Sequence, residues 1–525
     1  MSRIAAVRIA SVCSAIIVII GFFYLSLMYA SPFARSWDEV DFVLALERYD
    51  LLAMQPHFPG YPYFIAGASI IHRWVADPVL ALVMFNAVAA FSSAIPITLL
   101  ARRYVKGSTS LSLWLTSLVL TTPYLWLMAA RPMSECAGIA VLWWFLWSVR
   151  HAMEHPKSGA RHALVLVLFG FLMGTRLSFF PFGVAILLLW AEQYKINKDQ
   201  EGKRLRLALS IMAAGLIQLI WIVGLALSEG TISGFWKLSI AFVKGHFSEW
   251  GGGIVSTQIP FGQRIAQLFG SNLIGDVLLS RSAVIGALLL LLLTAVYAGQ
   301  WLLRRTETYH GKGGFQESEH HNRRYTAWLI TCIGFYLVWA LFGQNIEKPR
   351  HISPVAGPLL LLFYAATIRT VFSLWSIRQR YRKGHAALSA AIIIVLSGLL
   401  ITQIVYGADL LRKQAEELPS VYQLHDYVRG LETPVVLYTW EETRVLQYLQ
   451  ADYENRRILT FDYFNAIVAA NSGKRVLLTD HVLHGFEQQD PSVRSQVAPI
   501  AEFKSNALFD PVYANIILYE WKQKP

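Results

Sequence analysis

Three carboxylates follow the first apolar run of the chain. That run covers residues 9–30, which is long enough to cross a bilayer, so Asp38, Glu39 and Asp41 are expected just outside the hydrocarbon. Like charges beside a low-dielectric slab are costly unless they hold a cation, a proton or a polar substrate. Burial there can also raise a carboxyl pKa toward the range of a general base. The alternative is a solvated acidic loop. We favour a chemical role.

Cations and further polar residues occur in later segments that the same topology places on the outer side. Carboxylates on one side of a pocket and Arg or Lys on the other suit a reaction in which a base activates a hydroxyl or amine while the cations hold a phosphate leaving group. We therefore expect one outer surface to collect Asp38, Glu39, Asp41, His57, Arg131, Glu135, Arg176, His246, Lys348, Arg350 and His351.

Structural explanations compete for some of these residues. Arg131 and Glu135 stand four positions apart and could form a local helix pair. Arg176 could snorkel to lipid headgroups, and the run EKPRH, which contains Lys348 and Arg350, could bind lipid phosphate. We favour the shared site over these separate explanations.

The composition is that of a multi-span membrane protein. Of the 525 residues 55% are hydrophobic and only 15% are charged, and the mean hydropathy is +0.43, which excludes an ordinary soluble domain of this size. The net charge of +12 does not indicate nucleic-acid binding, because Lys and Arg lie in short clusters between apolar runs, as the positive-inside rule requires. Cys13, Cys136 and Cys332 all fall inside predicted spans and indicate neither disulfides nor a metal site.

Eleven apolar runs are predicted to span the membrane. A twelfth candidate, residues 61–74, contains Pro62, His72 and Arg73 and is short for a span. We interpret it as a juxtamembrane helix on the outer side, since counting it as a span would move every later basic cluster outside. The predicted spans are residues 9–30, 78–100, 111–129, 133–149, 162–175, 179–191, 207–228, 277–303, 325–343, 354–375 and 387–407.

The composition changes after residue 407, which divides the chain into a transmembrane domain, residues 1–407, and a soluble outer domain, residues 408–525. The outer domain opens with a polar helix over residues 409–429. Strand-like runs then begin at Pro434, Arg457, Arg475 and Ala514, with helical stretches at residues 441–453 and 463–473. This alternation predicts a small α/β domain with a mainly parallel sheet. It shows no phosphate loop, zinc spacing or nucleophile elbow, so we expect a structural or acceptor-guiding cap.

Four features of the membrane part resemble one class of enzyme. WDEVDF after the first run and PHFPGYP beyond it are similar to the first outer loop of protein O-mannosyltransferases and, more broadly, of GT-C membrane glycosyltransferases, including the lipid A aminoarabinose transferases. RPMSE and KPRHISPVAGPLL resemble two further features of that class. Asp41 departs from the pattern, since the protein mannosyltransferases have His there, and the tail lacks their β-trefoil insertion.

The resemblance implies roles for the site residues. Asp38 would be the catalytic base and Glu39 would position the acceptor, while Arg131, Arg176, Lys348 and Arg350 would bind the donor phosphate. Five further residues are expected to contact substrate: Asp41, His57, Glu135, His246 and His351. We expect no cofactor. Asp38, Glu39 and Asp41 offer oxygen ligands suited to Mg²⁺ or Mn²⁺, but Arg and Lys already supply the positive charge.

The predicted function is transfer of a hexose or pentose, with inversion, from a polyprenyl-phosphate carrier to a lipid-linked, glycan or protein acceptor. The enzyme would lie in the plasma membrane, with its active site and C-terminal domain outside the cytoplasm. The main alternative is a transporter or flippase of a lipid-linked anion, which would tend to carry mid-span charges and an internal repeat. The sequence shows neither. A scaffold with an external sensor domain would leave the acidic loop unexplained.

Overall fold

The computed structural model describes residues 3–196, 202–257, 259–307, 316–376, 382–471 and 473–522. Up to Glu416 the described chain is almost entirely helical. Its helices are α1 (Arg3–Met28), α2 (Trp37–Glu47), α3 (Pro62–His72), α4 (Pro78–Ser92), α5 (Ala94–Tyr104), α6 (Thr109–Leu120), α7 (Pro123–Ala129), α8 (Ser134–Glu154), α9 (Gly159–Thr175), α10 (Val184–Ile196), α11 (Lys203–Ser228), α12 (Ile232–Gly245), α13 (Phe261–Ile265), α14 (Ala283–Glu307), α15 (Gln316–Gly343), α16 (Ser353–Ser376) and α17 (Arg382–Glu416).

The helical membrane architecture is confirmed, but the count of eleven spans is not. By length and composition, 8 helices of the described residues could cross a membrane, or up to 9 if α6 and α7, which are bent by 76° at their junction, form one span. The predicted runs 133–149 and 162–175 do form helices, α8 and α9. α9 has only 17 residues, which is short for a crossing.

Local sequence explains the helix starts near the first outer loop. The side chain of Asp77 caps α4 by accepting the backbone N–H groups of Val79 and Leu80 at 2.8 and 3.1 Å. Proline occupies the first turn of both α3 and α4, where its missing N–H costs nothing. The predicted juxtamembrane helix over residues 61–74 is observed as α3.

The C-terminal part is a small α/β unit, as predicted, but its sheet is mixed. The strands are β1 (Val435–Thr439), β2 (Glu454–Arg457), β3 (Arg475–Thr479), β4 (Val497–Lys504) and β5 (Asn515–Trp521), and the helices are α18 (Ser420–Arg429), α19 (Thr443–Tyr448), α20 (Phe461–Val468) and α21 (Asp480–Gln489). The strand order is β2-β1-β3-β5-β4. β1 pairs in parallel with β2 and β3, whereas β5 is antiparallel to β3 and β4.

The expectation of a mainly parallel sheet is wrong because the sequence did not reveal β4. That strand lies half-exposed along most of its length and therefore lacks a strong apolar pattern. The predicted helix over residues 409–429 is also divided in two. α17 continues to Glu416, and α18 begins at Ser420 after Pro419, which lacks the N–H needed to continue a helix.

The segment that follows α1 and the C-terminal sheet share one hydrophobic core. Its buried members include Phe42 from α2 and Phe64 from α3, together with Leu424, Leu437 and Leu477 from the C-terminal part. The two parts are therefore packed together, and the carboxylates of α2 lie beside that junction.

Candidate active site

Asp38 lies in the first turn of α2 and faces Arg350. The N-cap position belongs to Ser36, and no side chain caps this helix, so Asp38 is not a capping residue. Instead its Oδ2 accepts a hydrogen bond from the Nη2 of Arg350. Arg350 reaches it from the 3₁₀ turn Pro349–Ile352, which immediately precedes α16. Tyr336 of α15 fixes that turn by donating its hydroxyl to the carbonyl oxygen of His351 at 2.7 Å.

Glu39 is fully buried and paired with Arg131. Its Oε1 accepts from Nε and Nη2 of Arg131 at 2.9 and 2.7 Å, and its Oε2 accepts the backbone N–H of Arg35 at 2.6 Å. Asn86 of α4 holds the turn that carries Arg131, because its amide donates to the carbonyl oxygens of Arg131 and Met133 at 2.7 Å. Glu39 and Arg131 are therefore bound to each other in this structure.

Glu135 joins two more of the predicted cations. Its Oε1 accepts from Nη2 of Arg176 at 2.6 Å and lies 2.8 Å from Nε of Arg350. Arg176, at the end of α9, also donates to Oγ of Ser134 at 2.6 Å, and its guanidinium lies over the ring of Tyr61. Asp38, Arg350, Glu135 and Arg176 thus form a continuous chain of ion pairs. The i, i+4 pairing of Arg131 with Glu135 is not observed, since each has a partner on another segment.

Lys348 has no ion pair within 4 Å and no side-chain hydrogen bond among the described residues. It lines a small cavity together with Asp38, Arg131 and Arg350. The other wall comes from the loop between β4 and β5, whose residues 509–513 we call the roof loop. The cavity has a volume of about 20 Å³. That is room for about one water molecule, so a sugar phosphate would need the site to open.

The cations control the ionisation of Asp38. Burial alone would raise the pKa of this carboxyl, but the positive charges of Lys348 and Arg350 outweigh burial and hold the pKa well below its usual value. The expectation that the membrane surface raises the pKa of the first-loop carboxyls is therefore wrong for Asp38. It is right for Asp41, whose pKa burial raises despite the nearby charges of His57 and Arg444.

Asp41 has a structural position that the sequence did not predict. Its Oδ1 accepts from Nε of Arg444 in α19 at 2.9 Å, and its Oδ2 lies 3.1 Å from Nδ1 of His57. Nε2 of His57 in turn lies 3.0 Å from the hydroxyl of Tyr61. Both oxygens have partners in this structure, and the expected substrate contact of Asp41 stays a prediction. The carboxylate joins the segment that follows α1 to the C-terminal part.

The two remaining histidines differ in their surroundings. His351 belongs to the same turn as Arg350, and its Nδ1 donates to the carbonyl oxygen of Asn345 at 3.0 Å. His246 lies 3.1 Å, through Nε2, from the carbonyl oxygen of Gly343 and stacks with Phe242. These two contacts hold His246 against the end of α15 and against the preceding helix, α12.

Sequence reasoning missed the residues that attach the roof loop. Arg35 is buried at the junction, and its Nη1 lies 3.4 Å from Oδ2 of Asp510. Arg131 donates through Nη1 to the carbonyl oxygen of Phe509. Asp510 is 475 positions from Arg35 and has no local pattern that marks it. The one available signal was the position of Arg35 directly before the acidic motif.

The three first-loop carboxylates do not converge as a metal site. Asp38, Glu39 and Asp41 each face a different arginine, so their oxygens do not meet at one point. Among the described residues, the groups with metal-ligand spacing are His151, Glu154 and His155, and Glu442, Asp480 and His481. Neither group contains a residue of the ion-pair network.

Comparison with known proteins supports the fold. No protein-family model matches the chain, and no curated protein sequence matches it. The crystal structure of the Archaeoglobus fulgidus oligosaccharyltransferase in the apo form matches with a TM-score of 0.51 at 11% identity, over 96% of this chain and 76% of that chain. Crystal structures of ArnT from Cupriavidus metallidurans, bound to undecaprenyl phosphate and in the apo state, match with TM-scores of 0.48 and 0.46 at 12% identity, over 99% of this chain and 98% of theirs. The oligosaccharyltransferase match shows that this chain shares the fold of that protein.

Proposed function

We propose that this chain is an integral membrane glycosyltransferase that takes a hexose or pentose from a polyprenyl-phosphate donor at the outer face. The observation that carries the proposal is the meeting of one carboxylate, Asp38, with two cations, Lys348 and Arg350, at a cavity beside the membrane helices. The fold shared with an oligosaccharyltransferase supports it. The acceptor would be a lipid, a glycan or a protein.

The chemistry needs a base and a place for negative charge. An acceptor oxygen or nitrogen would attack the anomeric carbon and lose its proton to Asp38, while the bond from that carbon to the phosphate oxygen breaks and the electron pair leaves with polyprenyl phosphate. The phosphate gains a negative charge as it leaves, so cations near it bind the transition state more strongly than the donor. Attack from the face opposite the phosphate would invert the anomeric centre.

Lys348 is the best placed of the four predicted phosphate ligands. Arg131 is held by Glu39, and its release would leave that carboxylate buried without a charged partner. Arg176 is held by both Glu135 and Ser134. Arg350 is shared between Asp38 and Glu135, and it could turn toward a phosphate while keeping one partner. We therefore assign donor-phosphate binding to Lys348 and Arg350, and a positioning role to Arg131 and Arg176.

Donor binding would also prepare the base. In the closed site Lys348 and Arg350 stabilise the carboxylate of Asp38 and make it a weak proton acceptor. A bound phosphate would neutralise part of that positive charge, and the pKa of Asp38 would rise. The carboxylate would then accept a proton more readily with the donor in place than without it.

The function can be tested by mass spectrometry of envelope glycans and lipids from cells with and without the gene. Loss of one sugar modification, with accumulation of the polyprenyl-phosphate sugar, is expected. The same loss with the lipid-linked sugar retained on the inner leaflet would instead indicate a flippase. In the same strain, Lys348→Ala should restore the modification roughly ten- to a hundredfold less efficiently than the wild type, because a charge-assisted bond to phosphate contributes about 1.5–3 kcal/mol.

The control for Lys348→Ala is Lys237→Ala, since Lys237 is an exposed lysine of α12 outside the cavity. Both variants should reach wild-type abundance in the membrane. If the two variants restore the modification equally, the assignment of Lys348 to the donor site is wrong.

The outer orientation is a separate proposal. A reporter fused after Trp74 or at the carboxyl terminus should be active outside the cytoplasm, and one inserted at residues 311–314, which lie outside the described residues, should be active inside. The concentration of Lys and Arg between the apolar runs motivates this prediction. A cytoplasmic carboxyl terminus would place Asp38 and the C-terminal domain on the inner face and contradict the donor geometry.

A further inference from the structure

The carboxyl ends of β1 and β3 bring together three side chains that can bind metal. β1 and β3 are parallel neighbours, so the residues that follow Thr439 and Thr479 lie at the same edge of the sheet. Glu442 follows β1 at the start of α19, and Asp480 and His481 form the first turn of α21. Strand ends of this kind are held rigidly by the sheet, which suits a binding site.

One ligand atom from each of the three residues lies within 4.8 Å of the other two. Nδ1 of His481 contacts Oε1 of Glu442 and lies 3.9 Å from Oδ1 of Asp480. The side chain of Glu442 is fully buried, and those of Asp480 and His481 are 29% and 24% exposed. The three atoms therefore surround one point that is largely shielded from solvent but can be reached from it.

Two observations favour a cation at this point. Oδ1 of Asp480 is a buried oxygen without a hydrogen-bond partner among the described residues, which is costly for a carboxylate. The surroundings are also strongly anionic, since Glu441, Glu442 and Asp480 together face the single imidazole.

We propose that Glu442, Asp480 and His481 bind one divalent metal ion of the Zn²⁺ type. An imidazole with two carboxylates matches the ligands of Zn²⁺, whereas Mg²⁺ and Ca²⁺ prefer oxygen alone. The ion would replace the Nδ1 proton of His481 and give Oδ1 of Asp480 a partner. Three protein ligands leave a fourth position for water.

The site lies directly behind the roof loop. The ring of Tyr513 is 6.0 Å from that of His481, and its hydroxyl donates to Oε2 of Glu441 at 2.9 Å. Tyr513 also lines the cavity that contains Asp38. A metal ion here would fix the strand ends against which Tyr513 packs and so hold the roof loop in place. The metal site does not depend on the proposed transfer function. Only the relevance of the roof loop to catalysis rests on that function.

The test uses the full-length protein, purified in detergent, stripped with EDTA and titrated with Zn²⁺ by calorimetry. We expect His481→Ala to weaken Zn²⁺ binding at least tenfold relative to His484→Ala, which changes an exposed histidine of the same helix. The group His151, Glu154 and His155 is unchanged in both variants, so the difference isolates the proposed site. Zn²⁺ should also raise the Tm of the His484→Ala variant more than that of the His481→Ala variant.

His481→Gln covers the case in which the alanine variant fails to fold, because glutamine can still donate a hydrogen bond to Glu442. Equal Zn²⁺ affinity and equal Tm shifts in His484→Ala and the folded His481 variant would overturn the proposal. So would a wild type that binds no Zn²⁺ at micromolar concentration. Both readouts are measured without a glycosyl acceptor, so loss of transfer activity alone cannot be mistaken for loss of the metal.

Discussion

Replacement of Asp38 by asparagine should lower the rate of glycosyl transfer about 10²- to 10⁴-fold while the protein stays folded and binds donor. Asparagine keeps the size of the side chain and an oxygen that can accept from Arg350, but it cannot take a proton. Arg350 also keeps Glu135 as its partner, so no buried charge is left alone. Single-turnover transfer with a polyprenyl-phosphate sugar, alongside donor binding, separates the two effects.

Glu47→Gln is the matched control for this substitution, because Glu47 is an exposed acid at the other end of α2. It should leave the rate unchanged. Near-normal transfer by the Asp38→Asn variant would contradict the assignment of Asp38 as the base. A folded Asp38→Asn variant that loses donor binding as well as transfer would indicate that its charge serves mainly to position Arg350.

Arg131→Ala should reduce the free energy of unfolding by about 3–5 kcal/mol, the largest stability effect that we expect in this site. The substitution leaves the buried carboxyl of Glu39 without the two guanidinium bonds to its Oε1, and it removes the bond to the carbonyl oxygen of Phe509. The double variant Glu39→Gln with Arg131→Ala should recover part of the loss, because the unpaired charge is gone. Thermal unfolding in detergent measures both.

The control for Arg131→Ala is Arg48→Ala, which breaks a surface pair with Asp50. This change should lower the free energy of unfolding by no more than about 1 kcal/mol. If Arg131→Ala is as stable as the wild type and loses only donor affinity, Arg131 binds phosphate, as the sequence predicted, and its positioning role is wrong. A further loss of stability in the double variant would also contradict the buried-pair argument.

The membrane helices and the first outer loop could be predicted because their signals are local. Apolar runs of span length and the WDE motif are each read from a few neighbouring residues, and α3 occurs where a helix was expected. That Asp38, Arg131, Arg176 and Arg350 would share one surface also followed from topology alone. The pairing of each arginine with its carboxylate could not be predicted, because it depends on side-chain geometry.

Contacts between distant parts of the chain could not be predicted from the sequence. Arg444 and Asp510 lie on a domain that was expected to be a separate cap, and nothing near them in the sequence points to Asp41 or Arg35. The ligand group Glu442, Asp480 and His481 was missed for the same reason. Its members come from two strand ends and become neighbours only through the parallel pairing of β1 and β3.

The core shared by α2 and the C-terminal sheet constrains how the protein is made. Asp41 and Arg444 are 403 positions apart, so the ribosome needs roughly 20–80 s at about 5–20 residues per second to supply the second partner after the first. During that interval Phe42 and Phe64 lack the surface that covers them in the finished fold. A chain that stops before β5 would leave this apolar surface exposed beside the bilayer, where quality-control proteases can recognise it.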